Sequence, residues 1–141
     1  MRKILLCVIT FSVIVFANSI NWIVDIDKAQ KLAKKENKII MVYVEAKHCP
    51  WCEKMKATTL SDKDVVRNLN RNYISLKVDA DSPKTQKLFG NVAITPTTMF
   101  FSPNGDALEM LEGYQELEFF FWGMGKAEKK FKALEDKKWE Y

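Results

Sequence analysis

An α/β sandwich, with a mixed sheet of four or five strands and helices on both faces, is the architecture this 141-residue chain predicts. Three features carry that expectation. Helix-like and strand-like stretches alternate over residues 25–90, the order that builds parallel strands joined by crossover helices. One strand-like run, "IIMVYVEA" at 39–46, is apolar almost throughout, as a central strand covered on both faces must be. The stretch "TPTTMFFSPNGDALEMLEGY" then reads as a hairpin, which closes the sheet with antiparallel strands through a tight turn.

The elements follow in order. Residues 20–24, "INWIV", are a candidate short first strand, which is why the count is four or five. "DIDKAQKLAKKENK", residues 25–38, reads as a helix with Ile26, Ala29, Leu32 and Ala33 near one face and lysines opposite. After the central strand, "CEKMKAT" begins a second helix. Residues 61–72, "SDKDVVRNLNRN", form a third, with Ser61 as the expected cap, Asp64 three positions on, and an apolar face of Val65, Val66 and Leu69. "YISLKVDAD", residues 73–81, is the next strand. Ser82 and Pro83 suit the start of a helix, and Gly90 suits its end. The hairpin arms are Thr97–Phe101 and Ala107–Leu111, turning at Pro103-Asn104-Gly105. A last helix from about Glu116 buries a stripe of Leu117, Phe120, Met124, Ala127, Phe131 and Leu134. Gly123 and Gly125 each cost about 1 kcal/mol relative to Ala in a helix, so a bend or weak turn is expected there. Phe119, Phe121 and Trp122 are surplus to the stripe and are read as core. Met41, Met55, Met99 and Met110 are read as core fillers.

Arg2 and Lys3 lead into the apolar run "ILLCVITFSVIVFA", residues 4–17, and Ala17 and Ser19 are spaced like a cleavage signal. This is the pattern of a secretory signal peptide over residues 1–19, leaving 20–141 as a single domain. The run is short for a membrane span, which needs roughly 20 residues; an uncleaved anchor is the alternative. Cleavage removes Cys7 and leaves Cys49 and Cys52 in an exported, periplasmic chain, where disulfides form and exchange. Formal charge is +4, of which Arg2 and Lys3 carry two. Acidic and basic residues are mixed throughout, with no arginine-rich stripe of the kind that binds nucleic acid.

The chemistry sits in "KHCPWCEKM", residues 47–55. Cys49 falls where the central strand ends and a helix begins. There, unpaired backbone N–H groups and the positive end of the helix dipole favour thiolate over thiol, and the thiolate is the attacking form. Pro50 fits the first turn, where its missing N–H is not needed. Cys52, three positions on, is close enough to attack a mixed disulfide formed at Cys49. Two other readings stand beside this one. A structural zinc site needs four ligands, and the motif offers two cysteines and His48. A structural clip closing so short a loop stabilises little.

"INW", "AQKLAKKENKIIMVYVEAKHCPWCEKM", "TLSDKDVVRNLNRNYISLKVDAD", "ITPTTMFFSPNG" and "LEGY" together resemble the thioredoxin superfamily over about residues 20–135. More narrowly, they are similar to the periplasmic thioredoxin-related branch typified by the C-terminal domain of the transmembrane thiol:disulfide interchange reductase. The resemblance implies a thioredoxin-like sheet, Cys49 as exposed nucleophile and Cys52 as buried resolving thiol. It also implies that Pro96 is a cis-proline lying against the disulfide, and that the backbone of Thr95 pairs with an extended substrate. No cofactor is expected, and no metal, because the motif falls short of a four-ligand set. Thioredoxins proper have tryptophan before the first cysteine and a buried aspartate six residues before it; here those positions hold His48 and Tyr43. Tyr43 is a poor base near neutral pH, and Glu45, which shares its strand parity, is the candidate substitute acting through water. A protonated His48 would favour the Cys49 thiolate, with a solvent-facing side chain as the alternative. Trp51 is assigned either to substrate contact or to packing over the helix.

The leading expectation is therefore an exported thiol-disulfide oxidoreductase that reduces protein disulfides. It would act as a monomer supplied by a membrane thiol-transfer partner, and cytochrome c maturation is one setting for it. The motif itself is not a haem site, because Glu53 follows Cys52 where CxxCH would need histidine. A periplasmic disulfide oxidase or isomerase is one alternative. A chaperone or assembly module that binds through the aromatic C-terminal helix is another.

Overall fold

A computed structural model describes residues 19–138; of the expected export segment, residues 1–18 lie outside that range. The elements are β1 (Trp22–Ile23), α1 (Ile26–Glu36), β2 (Ile39–Glu45), α2 (Pro50–Ala57), α3 (Lys63–Asn72), β3 (Tyr73–Asp79), α4 (Pro83–Phe89), β4 (Thr97–Phe101), β5 (Ala107–Glu112) and α5 (Leu117–Lys138). The strands form one five-stranded sheet in the order β1-β3-β2-β4-β5. β1 and β2 run parallel to β3, while β4 is antiparallel to both β2 and β5. This is the thioredoxin-like mixed sheet.

The apolar run of β2 is explained by its central place. Ile39, Met41 and Tyr43 face one core with α2, α3 and α5, and Ile40, Val42 and Val44 face the other with α1. Each such fully buried side chain contributes about 1.5–3 kcal/mol relative to exposure, so β2 anchors both layers. The CxxC segment follows directly from its end. The helix ends are held locally. Asp25 accepts the Lys28 amide at 2.9 Å to open α1, and Asn37, in the left-handed region at φ 50°, closes it.

Four expectations change in the structure. The cap of α3 is Asp62, which accepts the amides of Asp64 and Val65 at 2.9 and 3.1 Å. Ser61 closes a short 3₁₀ turn, Thr59–Ser61, and spends its hydroxyl on the Lys56 carbonyl. Second, α5 runs unbroken through Gly123 and Gly125. Gly123 is there for packing: a Cβ at that position would lie 2.6 Å from Leu111 Cδ1 on β5. Third, Phe119 and Trp122 are 61% and 58% exposed, whereas Phe121 packs against the core. The buried centre of the stripe is Phe120, Met124 and Ala127, and its ends, Leu117 and Leu134, are exposed. Fourth, Met110 is exposed while Met41, Met55 and Met99 are buried. It lies on the edge strand β5 opposite Met99, and the helix over that face, α1, sits against β2 and β3 instead.

Candidate active site

The strand β2 ends at Glu45, and the chain turns into α2 through His48, whose φ of 56° is left-handed. That conformation is uncommon for a residue with a side chain, though histidine tolerates it better than most. It leaves His48 exposed. Cys49 then occupies the cap position of α2, and Pro50 opens the helix. The Cys52 amide donates to Cys49 Sγ at 3.2 Å. A sulfur at that position takes up one of the orphan N–H groups of a helix start, as an oxygen cap does.

Cys49 and Cys52 are joined as a disulfide, with Cα atoms 5.3 Å apart. Cys49 is partly exposed and Cys52 is 0% exposed. One sulfur is thus reachable and the other sealed behind it. Against Cys49 stands the loop before β4. The Thr95 hydroxyl donates to Cys49 Sγ at 3.4 Å, and the Thr95 carbonyl oxygen lies 3.5 Å from the same sulfur. The Thr95–Pro96 peptide bond is cis, and Pro96 is buried.

Below the disulfide the core contains Tyr43, which is 0% exposed and donates its hydroxyl to the Cys52 carbonyl at 3.2 Å. Burial, and then the charges of Glu45 and Glu53, push its phenol pKa above the ordinary value. Near neutral pH it is a neutral donor. Glu45 is not aimed freely at the sulfurs: its carboxylate holds the Lys56 ammonium at 2.8 Å, with Lys77 at 3.9 Å. Lys56 also pairs with Glu53 at 2.7 Å. The hydrogen bonds to Glu45 and then Glu53 hold the Lys56 pKa above its usual value. Among the described residues, no group of three or more His, Cys, Asp or Glu is arranged to hold a metal ion.

Trp51 is 55% exposed, and its ring lies 5.7 Å from that of Tyr114 at a 42° tilt. The Lys54 ammonium sits over both rings, 4.9 Å from Trp51 and 4.6 Å from Tyr114. Neither Lys54 nor Tyr114 is flagged by the motif. Lys54 is three residues after Trp51 on a helix, a spacing that puts the two side chains together. Tyr114 arrives from the far end of β5, so only its place beside Gly113 in "LEGY" gives a sequence signal. Gly113, at φ 78°, donates its amide to the Pro96 carbonyl at 2.7 Å.

Residues 26–127 match the model of a family described as the thioredoxin-like domain. A thioredoxin from Thermus thermophilus superposes with a TM-score of 0.72 at 26% identity, covering 87% of this chain and 98% of that one. The C-terminal domain of Neisseria meningitidis DsbD in the reduced form superposes with a TM-score of 0.58 at 23% identity, covering 71% of this chain and 92% of that one; this likeness bears on the fold. Mouse (Mus musculus) spermatogenesis-associated protein 20 is 33% identical over 73 residues, 51% of this chain and 9% of that protein. The chain spans between 9% and 13% of the length of the curated relatives it matches.

Proposed function

Because this chain belongs to the thioredoxin-like domain family, we propose that it is an exported thiol-disulfide oxidoreductase that reduces disulfides in other exported proteins. The observation that carries the reading is the pairing of a reachable sulfur with a sealed one at the start of α2: Cys49 is partly exposed, Cys52 is 0% exposed, and their Cα atoms are 5.3 Å apart. That pair can open and close without rearranging the backbone.

In the reduced protein the Cys49 thiolate attacks one sulfur of a substrate disulfide. A Cys49–substrate disulfide forms, the substrate disulfide breaks, and the departing thiolate takes a proton. Cys52 gives up its proton and attacks Cys49 Sγ, which releases the second substrate thiolate for protonation. The substrate gains two electrons and two protons, and the chain is left in the oxidised state described here. A dithiol donor must then restore it. The Thr95 backbone beside Cys49 and the exposed Trp51 and Ile94 offer an extended substrate a polar and an apolar contact. The compartment rests on the pattern of residues 1–19, and a periplasmic setting with a membrane thiol-transfer partner rests on the branch-level resemblance. Service in cytochrome c maturation, with a haem-site CxxCH as substrate, belongs to the same proposal.

The test is trapping. With Cys52→Ala, exported proteins held covalently on Cys49 are identified, and the parent is assayed for insulin reduction. The reading expects defined disulfide-linked clients and an active parent; no client and no reduction would end it. A reduction potential separates reductase from oxidase or isomerase. A second reading, a binding module, draws on the exposed Phe119 and Trp122 of α5. It expects a Cys49 and Cys52 double replacement to keep its biological effect.

A further inference from the structure

We propose that Tyr114 is a positioning residue for the exchange site: with Lys54 it locks the ring of Trp51 and so sets the affinity for polypeptide disulfides. The inference rests on the reading of Cys49 and Cys52 as an exchange centre.

Trp51 is next to Pro50 on the exposed rim of the motif, with more than half its surface in solvent at 55%. A free indole there would sample several rotamers, and ordering it would weaken capture of any substrate that lies on it. The structure instead places the Lys54 ammonium 4.9 Å from the Trp51 ring centre and 4.6 Å from that of Tyr114. The two rings themselves are 5.7 Å apart. One cation therefore joins two aromatic faces, and Trp51 is held from the Tyr114 side.

Tyr114 is itself tied to both walls of the site. Its hydroxyl is 3.3 Å from Thr58 Oγ1, at the end of α2. The preceding residue, Gly113, donates to the Pro96 carbonyl at 2.7 Å. The following one, Gln115, accepts the Thr59 hydroxyl at 2.7 Å. The segment 113–115 is a clasp between the Pro96 loop and α2, and Tyr114 is its only side chain in the stack. A small disulfide meets only the Cys49 sulfur. A polypeptide disulfide also lies across Trp51, so it alone draws on the ordered ring.

The test measures second-order rate constants for the reduced full chain with insulin and with bis(2-hydroxyethyl) disulfide, which has no ring or charge to meet Trp51 or Lys54. Tyr114→Ala is expected to lower the ratio of the insulin constant to the small-disulfide constant about five- to tenfold, the scale of a lost aromatic and cation contact. Tyr114→Phe keeps the stack and is expected to hold the ratio near the parent's, and Lys54→Met should fall between. An unchanged ratio in Tyr114→Ala, or both constants falling together as general loosening would cause, overturns the proposal. A parent that reduces neither disulfide overturns the exchange reading itself and this inference with it.

Discussion

Tyr43, at the position where thioredoxins proper carry a buried aspartate, donates a hydrogen bond to the backbone carbonyl of Cys52 at 3.2 Å. The contact joins the central strand to the first turn of α2, directly beneath the sealed sulfur. It makes Tyr43 a clamp on the helix that presents Cys49, not a proton acceptor for Cys52.

Tyr43→Phe should keep the packing and lose only that bond. The expected cost is about 1 kcal/mol of stability, the usual net value of a buried neutral hydrogen bond. Urea unfolding of the oxidised protein measures it, with a lower midpoint and an unchanged slope expected. A midpoint equal to the parent's would mean that the bond does not hold α2.

Tyr43 and Tyr73 have phenol pKa values raised in the fold. Burial is the larger cause for both; for Tyr73 the hydrogen bond to Glu128 adds to it. The unfolded chain loses these protons as pH passes about 10, while the folded chain keeps them. Stability from this source is complete below that pH and declines above it. Absorbance at about 295 nm during alkaline titration should show two tyrosines ionising only as the protein unfolds. Ionisation of Tyr43 and Tyr73 before unfolding would contradict their burial.

The two glycines of α5 should answer alanine with opposite signs. Nothing lies within 4 Å of a Cβ built at Gly125, so Gly125→Ala gains helix propensity, about 1 kcal/mol. A Cβ at Gly123 meets Leu111 Cδ1 at 2.6 Å and Cδ2 at 2.9 Å. Leu111 is itself buried, so overpacking of about 1–3 kcal/mol outweighs the propensity gain. Thermal unfolding of the two variants checks the pair. Equal shifts would mean that α5 can slide off β5 at no cost.

Those glycines also show where pattern reading runs out. Propensity marks both as weak points of a helix, but only the sheet opposite says that Gly123 permits a close approach. The same holds at Ser61 and Asp62. Either can cap a helix, and the choice is made by the 3₁₀ turn that carries the Ser61 hydroxyl to Lys56. The ends of the α5 stripe fail for a length reason. A helix of 22 residues is about 33 Å long. A strand of 5 or 6 residues, such as β4 or β5, spans about 17–20 Å, so Leu117 and Leu134 overhang the sheet. What was legible was what repeats locally. The apolar faces of β2, the hairpin signal and the strand-to-helix position of Cys49 each rest on residues within a few positions of one another. Glu45 shows the limit at the site itself. Its parity with Tyr43 is readable, but its capture by Lys56 and approach to Lys77 depend on elements packed across the sheet. The stack of Trp51, Lys54 and Tyr114 likewise joins α2 to the exit of β5, which no local pattern announces.

The most direct test of the account is the pH dependence of alkylation of the two thiols in the reduced protein, followed residue by residue with iodoacetamide. Cys49 should react first and titrate well below the free-cysteine value of about 8.5, because it caps α2 and accepts the Cys52 amide, while Cys52 stays protected. Cys49 titrating at or above that value, or Cys52 reacting ahead of it, would contradict the attacking and resolving roles assigned here.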